Sequence, residues 1–300
     1  MSRLPSRRPG PAGTAARGEA AAAAPRHRQL ALLPAEGRLV LSTTRLEVWR
    51  TCRRRYLFQY VQRLPARTTE PLWIGRLVHR VLERLATLPP GERTAGTAFE
   101  LLDRLWPEEP EREGVFADPN REEAARRRAR SMLAGWAARE RERLRPDSRL
   151  FGLELPLSLP LGDGLAFTGR VDRLEWRDGG LELVDYKTGR ASGPAVLRRS
   201  LQAVGYAWLV EQVLGRRVER VTFWFLASDR LVSLPVDREA CAALPGELRA
   251  DGRAILSEEV YPARPGPACR WCDYLALCPE GQESVRRYAS RGGREAAGGR

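Results

Sequence analysis

Lysine is nearly absent from this chain of 300 residues: of its 51 Lys and Arg, only Lys187 is a lysine. Where either cation would serve, the chain uses arginine. Lys187 therefore marks a position that calls for a compact ammonium, whose proton affinity responds to its surroundings, and not for a planar, permanently charged guanidinium. The scarcity also excludes a phosphate-binding loop of the form G-x-x-x-x-G-K-[ST], because the one lysine lies in "DYKTG" (185–189). Histidine is scarce too, with only His27 and His79. No apolar run approaches the ~20 residues of a membrane span. Residues 1–38 lack the apolar segment of a secretory signal, so a cytoplasmic protein without a membrane partner is expected. The five cysteines are odd in number and come without an export signal, which argues against a disulfide framework.

What is present is arginine, alanine, glycine and a formal net charge of +13. Much of that charge lies at the ends. Residues 1–38 hold seven Arg and two Glu (+5) and residues 281–300 hold five Arg and two Glu (+3), which leaves about +5 for residues 39–280. Both ends read as solvated, disordered basic tails around one domain at 39–280. The excess of cations still fits a polyanionic partner.

Hydrophobic spacing divides the domain. "LSTTRLEVWRTCRRRYLFQYVQRL" (41–64) has helical spacing, with Thr44 and Glu47 as a capping box. Further helices are predicted at 71–88, 94–106, 120–145 (with an exposed face), 200–215 with Gly215 as its stop, and 238–257. Alternation with period two predicts strands at 150–159, 165–176, 181–187, 218–227 and 230–236. A Cys-rich segment follows at 268–279. The order predicts an α/β fold, a central mixed sheet flanked by helices.

Between "GRVDRLEW" (169–176) and "LELVDYK" (181–187) lies "RDGG", a short-hairpin signal. A turn at Asp178-Gly179 sets Asp172 opposite Asp185; a turn at Gly179-Gly180 sets it opposite Lys187. Either register puts Asp172, Asp185 and Lys187 on one sheet face, together with Leu174, Leu181 and Leu183. Two carboxylates buried there without partners would be costly. A divalent cation resolves the conflict, since hard cations prefer oxygen ligands. The plain alternative is an Asp–Lys pair at a strand end. His79 follows Gly75 by one helical turn in "GRLVH", and Gln202 and Tyr206 share a helix face in "QAVGY".

In sequence order these segments supply "GRLVH", "GRVD", "DYKTG" and "QAVGY". The pattern resembles the RecB-type branch of the PD-(D/E)XK nuclease superfamily, which runs G-x-x-x-H, G-x-x-D, D/E-x-K-T-G, Q-x-x-x-Y. The opening at 41–60 also resembles that family's start, with Thr44 in place of a second Ser and Arg53 in place of a Pro after the Cys. The resemblance spans about residues 41–279 and implies a restriction-endonuclease-like core. It implies that His79, Asp172, Asp185 and the backbone carbonyl of Tyr186 hold Mg²⁺ or Mn²⁺, with Lys187 acting on the attacking water. It further implies that Gln202 and Tyr206 support the site or touch DNA, and that Glu154 in "GLELPL" matches a family acid.

Cys269, Cys272 and Cys278 form C-x2-C-x5-C, one ligand short of a tetrahedral site. The residue types alone allow zinc or an iron–sulfur cluster. The resemblance supplies Cys52 as the fourth ligand and a [4Fe–4S] cluster, in a lobe joining both ends of the domain. Cys241 is expected as a buried helix thiol.

The function expected from this reading is metal-dependent phosphodiester hydrolysis by a deoxyribonuclease. An exonuclease on single-stranded DNA ends is favoured, in DNA repair and recombination or CRISPR-type processing. Unwinding is left to a separate helicase. The alternative is a nuclease-like module that binds DNA ends or a helicase without cutting, and a weaker one is a redox or zinc protein with structural acids. Of the aromatics, Trp73, Trp208, Trp224 and Trp271 are weighed as base-stacking surfaces, with core packing expected for most.

Overall fold

Six strands form one mixed sheet in the computed structural model, which describes residues 39–143, 149–177 and 180–297. They are β1 (Leu39–Ser42), β2 (Arg149–Gly162), β3 (Leu165–Arg177), β4 (Gly180–Lys187), β5 (Val218–Phe225) and β6 (Arg230–Pro235). The path runs β1-β3-β4-β5-β6, with β2 also paired to β3. Pairs β1/β3 and β4/β5 are parallel; β2/β3, β3/β4 and β5/β6 are antiparallel. The register Arg173↔Val184 to Arg177↔Gly180 sums to 357, the value expected for a two-residue connection at 178–179.

The pairing of β3 leaves an interruption. Residues Ala166–Thr168 pair with β2 on one edge and β1 on the other, and Arg173–Trp176 pair with β2 and then β4. A strand has two edges, so β1 and β4 occupy successive stretches of the same one. Between them Gly169, Arg170, Val171 and Asp172 have no strand partner on that edge among the described residues. This is the "GRVD" segment.

Helices cover both sheet faces. On one side α1 (Thr43–Thr51), α7 (Leu201–Leu214) and α8 (Arg238–Ser257) enclose a core with Leu174, Leu181, Leu183 and Phe223. On the other, α3 (Glu70–Ala86), α4 (Ala95–Leu105) and α5 (Pro119–Arg143) enclose Val184, Tyr186 and Trp224. The buried residues of α3 (Trp73, Ile74, Leu77, Val78, Val81, Leu82, Leu85) recur at the i, i+3, i+4 spacing that makes a single apolar stripe. Each such side chain contributes about 1.5–3 kcal/mol on burial, and the stripe fixes how α3 is rotated. A short α6 (Pro194–Arg198) precedes α7, whose N-terminus is capped by Ser200 accepting from Ala203 N and whose end is set by Gly215 at φ 61°.

The second face also buries charge. Glu140, Arg173, Glu175 and Glu182 are each at most 3% exposed. Arg173 donates in a fork to both oxygens of Glu140 at 3.0 Å, Arg143 donates to Glu175 at 2.7 Å, and Arg177 donates to Glu182 at 3.3 Å. The helix predicted over 120–145, with its exposed face, thus turns Glu140 inward.

Three expectations need correcting. The stretch 41–64 is not one helix. Its first residues complete β1, Ser42 is the cap of α1 (its Oγ accepts from Arg45 N at 3.2 Å), and no box forms at Thr44 and Glu47. The helix then breaks at Cys52, which is extended at φ −158° and ψ 116°, before α2 (Arg53–Tyr56) and a π-helical turn at Leu57–Val61. The break turns the Cys52 sulfur toward the C-terminal chain, where it accepts from Arg264 N at 3.4 Å. Finally, the segment expected as a tail at 281–300 continues as helix α9 (Pro279–Ala297). Proline suits the first helical position, Gln282 N donates to Cys278 O at 3.0 Å, and Gly281 and Ser284 are buried. The basic segment 1–38 lies outside the described residues. No helix among those described is long and apolar enough to cross a membrane.

Candidate active site

The interruption in β3 organises the site. Where β4 would next pair with β3, the Asp172 carboxylate substitutes for the missing backbone acceptor: Tyr186 N donates to its Oδ2 at 2.8 Å. That bond splays the strands and presents Oδ1 to His79 Nδ1, 3.6 Å away. Gly169 lies against the Tyr206 ring. A Cβ there would sit 2.7 Å from Cε1, so only glycine admits this contact without displacing the ring. The Tyr206 hydroxyl in turn meets Thr43 Oγ1 at 3.4 Å, at the first residue after β1. The "GRVD" segment thus packs against α7 at its start and serves the site at its end.

α3 delivers the imidazole. His79 Nε2 lies 3.1 Å from the Tyr186 carbonyl, and Nδ1 lies 3.9 Å from Glu154 Oε1. Close seating needs Gly75 one turn earlier, where a Cβ would come within 3.1 Å of Thr188 Oγ1. Glu154 reaches the group from β2 through a left-handed backbone, φ 41°. For a non-glycine residue this conformation costs energy and is found where surroundings impose it.

The end of β4 supplies the rest. Lys187 Nζ sits 2.7 Å from Asp185 Oδ2 and donates to Gln202 Oε1 at 2.7 Å. Asp185 is almost fully buried, and its Oδ2 has no aligned hydrogen-bond donor. Burial pushes its carboxyl up to about 6, against the pull of Lys187 and with the neighbouring charge of Asp172 adding to the push. For His79, burial disfavours the cation, but the close carboxylates of Asp172 and Glu154 and the charge of Asp185 hold its pKa at about 10.

All eight residues anticipated for the site line one cleft of about 600 Å³: His79, Glu154, Asp172, Asp185, Tyr186, Lys187, Gln202 and Tyr206. Among the described residues, the group with metal-ligand spacing is His79, Glu154 and Asp172, whose donor atoms all lie within 4.8 Å of one another. Glu154, anticipated only as a matching acid, stands in this group, whereas Asp185 is turned toward Lys187. Two neighbours escaped the sequence reading. Arg170 lies 3.6 Å from Glu154 Oε2, and its only signal was its place inside "GRVD". Thr43 carried no signal, since its role depends on β1 docking beside β3.

The cysteines gather elsewhere. Cys52, Cys269, Cys272 and Cys278 line one cavity of about 60 Å³. The sulfurs of Cys52, Cys269 and Cys278 accept backbone N–H groups from Arg264, Gly266 and Gly281, respectively. Cys278 also sits at the N-terminus of α9, where the helix dipole favours negative charge. Burial pushes the Cys272 and Cys278 thiols up. The lobe is tied to the opposite end of the domain by Phe58 packing on Tyr274, ring centroids 5.6 Å apart, and by Tyr274 OH donating to Leu64 O at 3.0 Å. Cys241 is a buried α8 thiol, its pKa raised to about 11 by burial. Trp73, Trp208 and Trp224 are core residues; Trp271, beside the cysteines, is 76% exposed.

No curated protein matches the chain. Among solved structures, that of SSO0001 aligns over 82% of this chain and 88% of its own, at 13% identity and a TM-score of 0.37. The model of the PD-(D/E)XK nuclease superfamily matches residues 40–279. That span runs from β1 through the last cysteine and contains every residue of the cleft described above. The chain belongs to the PD-(D/E)XK nuclease superfamily.

Proposed function

We propose that the protein is a divalent-metal-dependent deoxyribonuclease of the RecB type, acting as an exonuclease on single-stranded DNA ends. The observation that carries this reading is the state of Asp185: a buried carboxylate oxygen without an aligned donor, beside the only lysine of the chain and in one cleft with Asp172, Glu154 and His79. Such a donor set, carboxylates with one imidazole and a backbone carbonyl, suits Mg²⁺ or Mn²⁺. His79, Asp172, Asp185 and the Tyr186 carbonyl would hold the ion, with Glu154 as an additional acid. When bound, the metal supplies positive charge against the phosphate and acidifies water.

The protein's own groups do the remaining work. Lys187, held between Asp185 and Gln202, has its ammonium fixed where it can orient a water and meet charge developing on the phosphate. Water attacks phosphorus and gives up a proton to a basic group of the cleft, the P–O bond to the leaving sugar breaks, and the departing sugar oxygen takes a proton from solvent to leave as the alcohol. Gln202 positions Lys187, and Tyr206 holds the "GRVD" segment in place.

The four cysteines fit a [4Fe–4S] cluster. Their cavity of about 60 Å³ has room for several waters at the ~10–15 Å³ each requires. Arg55 lines the same cavity, and its buried Nε has no partner, so it is a donor awaiting an acceptor such as a sulfide. Cys52, Cys269, Cys272 and Cys278 would hold the cluster as a structural clamp. Protein prepared without oxygen is expected to be brown, and Cys52→Ser to lose that absorption and stability; stoichiometric zinc without iron would overturn the cluster and leave the nuclease reading intact.

The nuclease itself is tested with end-labelled linear and circular single-stranded DNA, in Mg²⁺ or Mn²⁺. Digestion of linear DNA alone, abolished by Asp185→Asn and by Lys187→Ala, is the expected result. Equal activity in all three proteins would mean contamination. Metal-independent binding without cleavage of any substrate would favour a non-cutting DNA-end or helicase-binding module. Roles in DNA repair, recombination or CRISPR-type processing, with a separate helicase, belong to the same proposal.

A further inference from the structure

The catalytic cleft is poorly suited to holding a polyanion by itself. Its lining carries Arg76, Arg80, Arg170, Lys187 and the protonated His79 against Glu83, Glu109, Glu154, Asp172 and Asp185, five cations against five carboxylates and so no excess of positive charge. Most of those cations are already engaged. Arg76 and Arg80 both face the buried Glu109, at 3.4 and 3.1 Å, and Arg170 faces Glu154. Affinity for phosphates beyond the one at the reacting centre must come from somewhere else.

A second groove, of about 490 Å³, adjoins the cleft and shares Thr188 and Gly189 with it. Beyond these two it is lined by Arg190, Ala191, Ala227, Ser228 and Arg230: two cations and no carboxylate. Arg190 and Arg230 are exposed, and among the described residues neither has an acidic partner. The acid nearest in sequence, Asp229, is engaged by Arg139, whose Nε and Nη2 donate to its Oδ1 at 2.5 Å and its carbonyl at 3.0 Å. The groove begins one residue past Lys187. Three residues of chain span at most about 10 Å, so Arg190 lies within about three phosphates of the reacting centre at ~3.4 Å or more per phosphate along a strand.

We propose that Arg190 and Arg230, with the Ser228 hydroxyl, form a phosphate-binding subsite for the nucleic-acid strand that leaves the catalytic cleft over Thr188 and Gly189. This rests on the nuclease reading for the direction in which the strand is followed. Unmatched guanidiniums facing a groove without acids are what backbone recognition requires, and they bind independently of sequence.

The test uses the full-length protein and a fluorescein-labelled single-stranded DNA 20-mer in Ca²⁺, read by anisotropy across a salt series. The double variant Arg190→Ala/Arg230→Ala should bind at least about tenfold more weakly. Its log–log salt slope should be shallower by about 1.4, from two phosphate contacts at ~0.7 each. Arg190→Lys/Arg230→Lys should restore most of the affinity, since phosphate accepts a point charge. Mn²⁺ affinity by calorimetry and Tm should be unchanged throughout. Unchanged DNA affinity and slope in the alanine pair would overturn the subsite. So would a loss that lysine does not restore or that is matched by weaker Mn²⁺ binding, since either would assign these arginines to the fold. Weaker binding by the alanine pair together with a wild type that cleaves nothing would sink the nuclease reading and leave the groove standing.

Discussion

The two sides of strands β3 and β4 present the same residue types in opposite states. Toward α5, the carboxylates of Glu140, Glu175 and Glu182 are each matched by an arginine. Toward the cleft, Asp172, Asp185 and Glu154 share one imidazole, one ammonium and, at Glu154 only, the exposed guanidinium of Arg170. Burial alone would raise the Glu175 carboxyl, yet Arg173 and Arg143 hold it below its ordinary value, while Asp185 is pushed up to about 6. Burial of charge is thus no mark of a site in this fold; the mismatch is. Tyr186 joins the two: its backbone serves the cleft, and its hydroxyl accepts from Trp136 Nε1 and Arg173 Nη1, at 3.3 and 3.4 Å, on the closed side.

The contrast can be broken from either side. Asp185→Asn should lower the cleavage rate by about 10⁴-fold, some 5.5 kcal/mol of barrier, with Tm changed little, because loss of the pair with Lys187 is offset by removal of a buried charge. Glu175→Gln should do the reverse. It leaves Arg173 and Arg143 short of charge, costs about 3–5 kcal/mol of stability in urea titration, and keeps the cleavage rate within a few-fold. The Glu175 carboxyl is depressed in the folded state, so its contribution is full above its unfolded pKa, ~4.3, and is lost as pH falls through the lower folded value. The stability difference between variant and wild type should shrink accordingly in acid.

Smaller effects sharpen the picture. Gly169→Ala forces the Tyr206 ring to move and should cost about 1–3 kcal/mol, with a loss of activity below tenfold. With the proposed ligand set, metal binding displaces the His79 proton, whose pKa is about 10. Between pH ~6 and ~10 the Mn²⁺ affinity should therefore rise about tenfold per pH unit, ~1.4 kcal/mol, with one proton released in calorimetry across buffers. Below pH 6 a second proton, from Asp185, should appear. A flat profile would mean that His79 does not bind the ion.

Sequence revealed the cleft side better than the closed side, for a physical reason. Period two in "GRVDRLEW" and "LELVDYK", with a tight turn between, is enough to align Asp172, Asp185 and Lys187, and helical spacing aligns Gly75 with His79 and Gln202 with Tyr206. These relations are local. The closed network is not, because Arg173, Glu175 and Glu182 alternate with apolar residues just as a solvated face would. Only the docking of α5, and Glu140 upon it, makes that face interior. The break at Cys52 was equally hidden, since neither Gly nor Pro marks it and its cause lies more than 200 residues later at Arg264. The helix past Pro279 was masked by a composition of arginine and glycine.

Because β1 and β4 are attached to separate stretches of β3, twisting one does not drag the other. Amides of residues 169–172 that face the interruption should exchange with deuterium sooner than those in the ladders on either side. Beside the proposed metal site, then, the scaffold has a seam, able to widen for a bulky or distorted nucleotide while the rest of the sheet keeps its register.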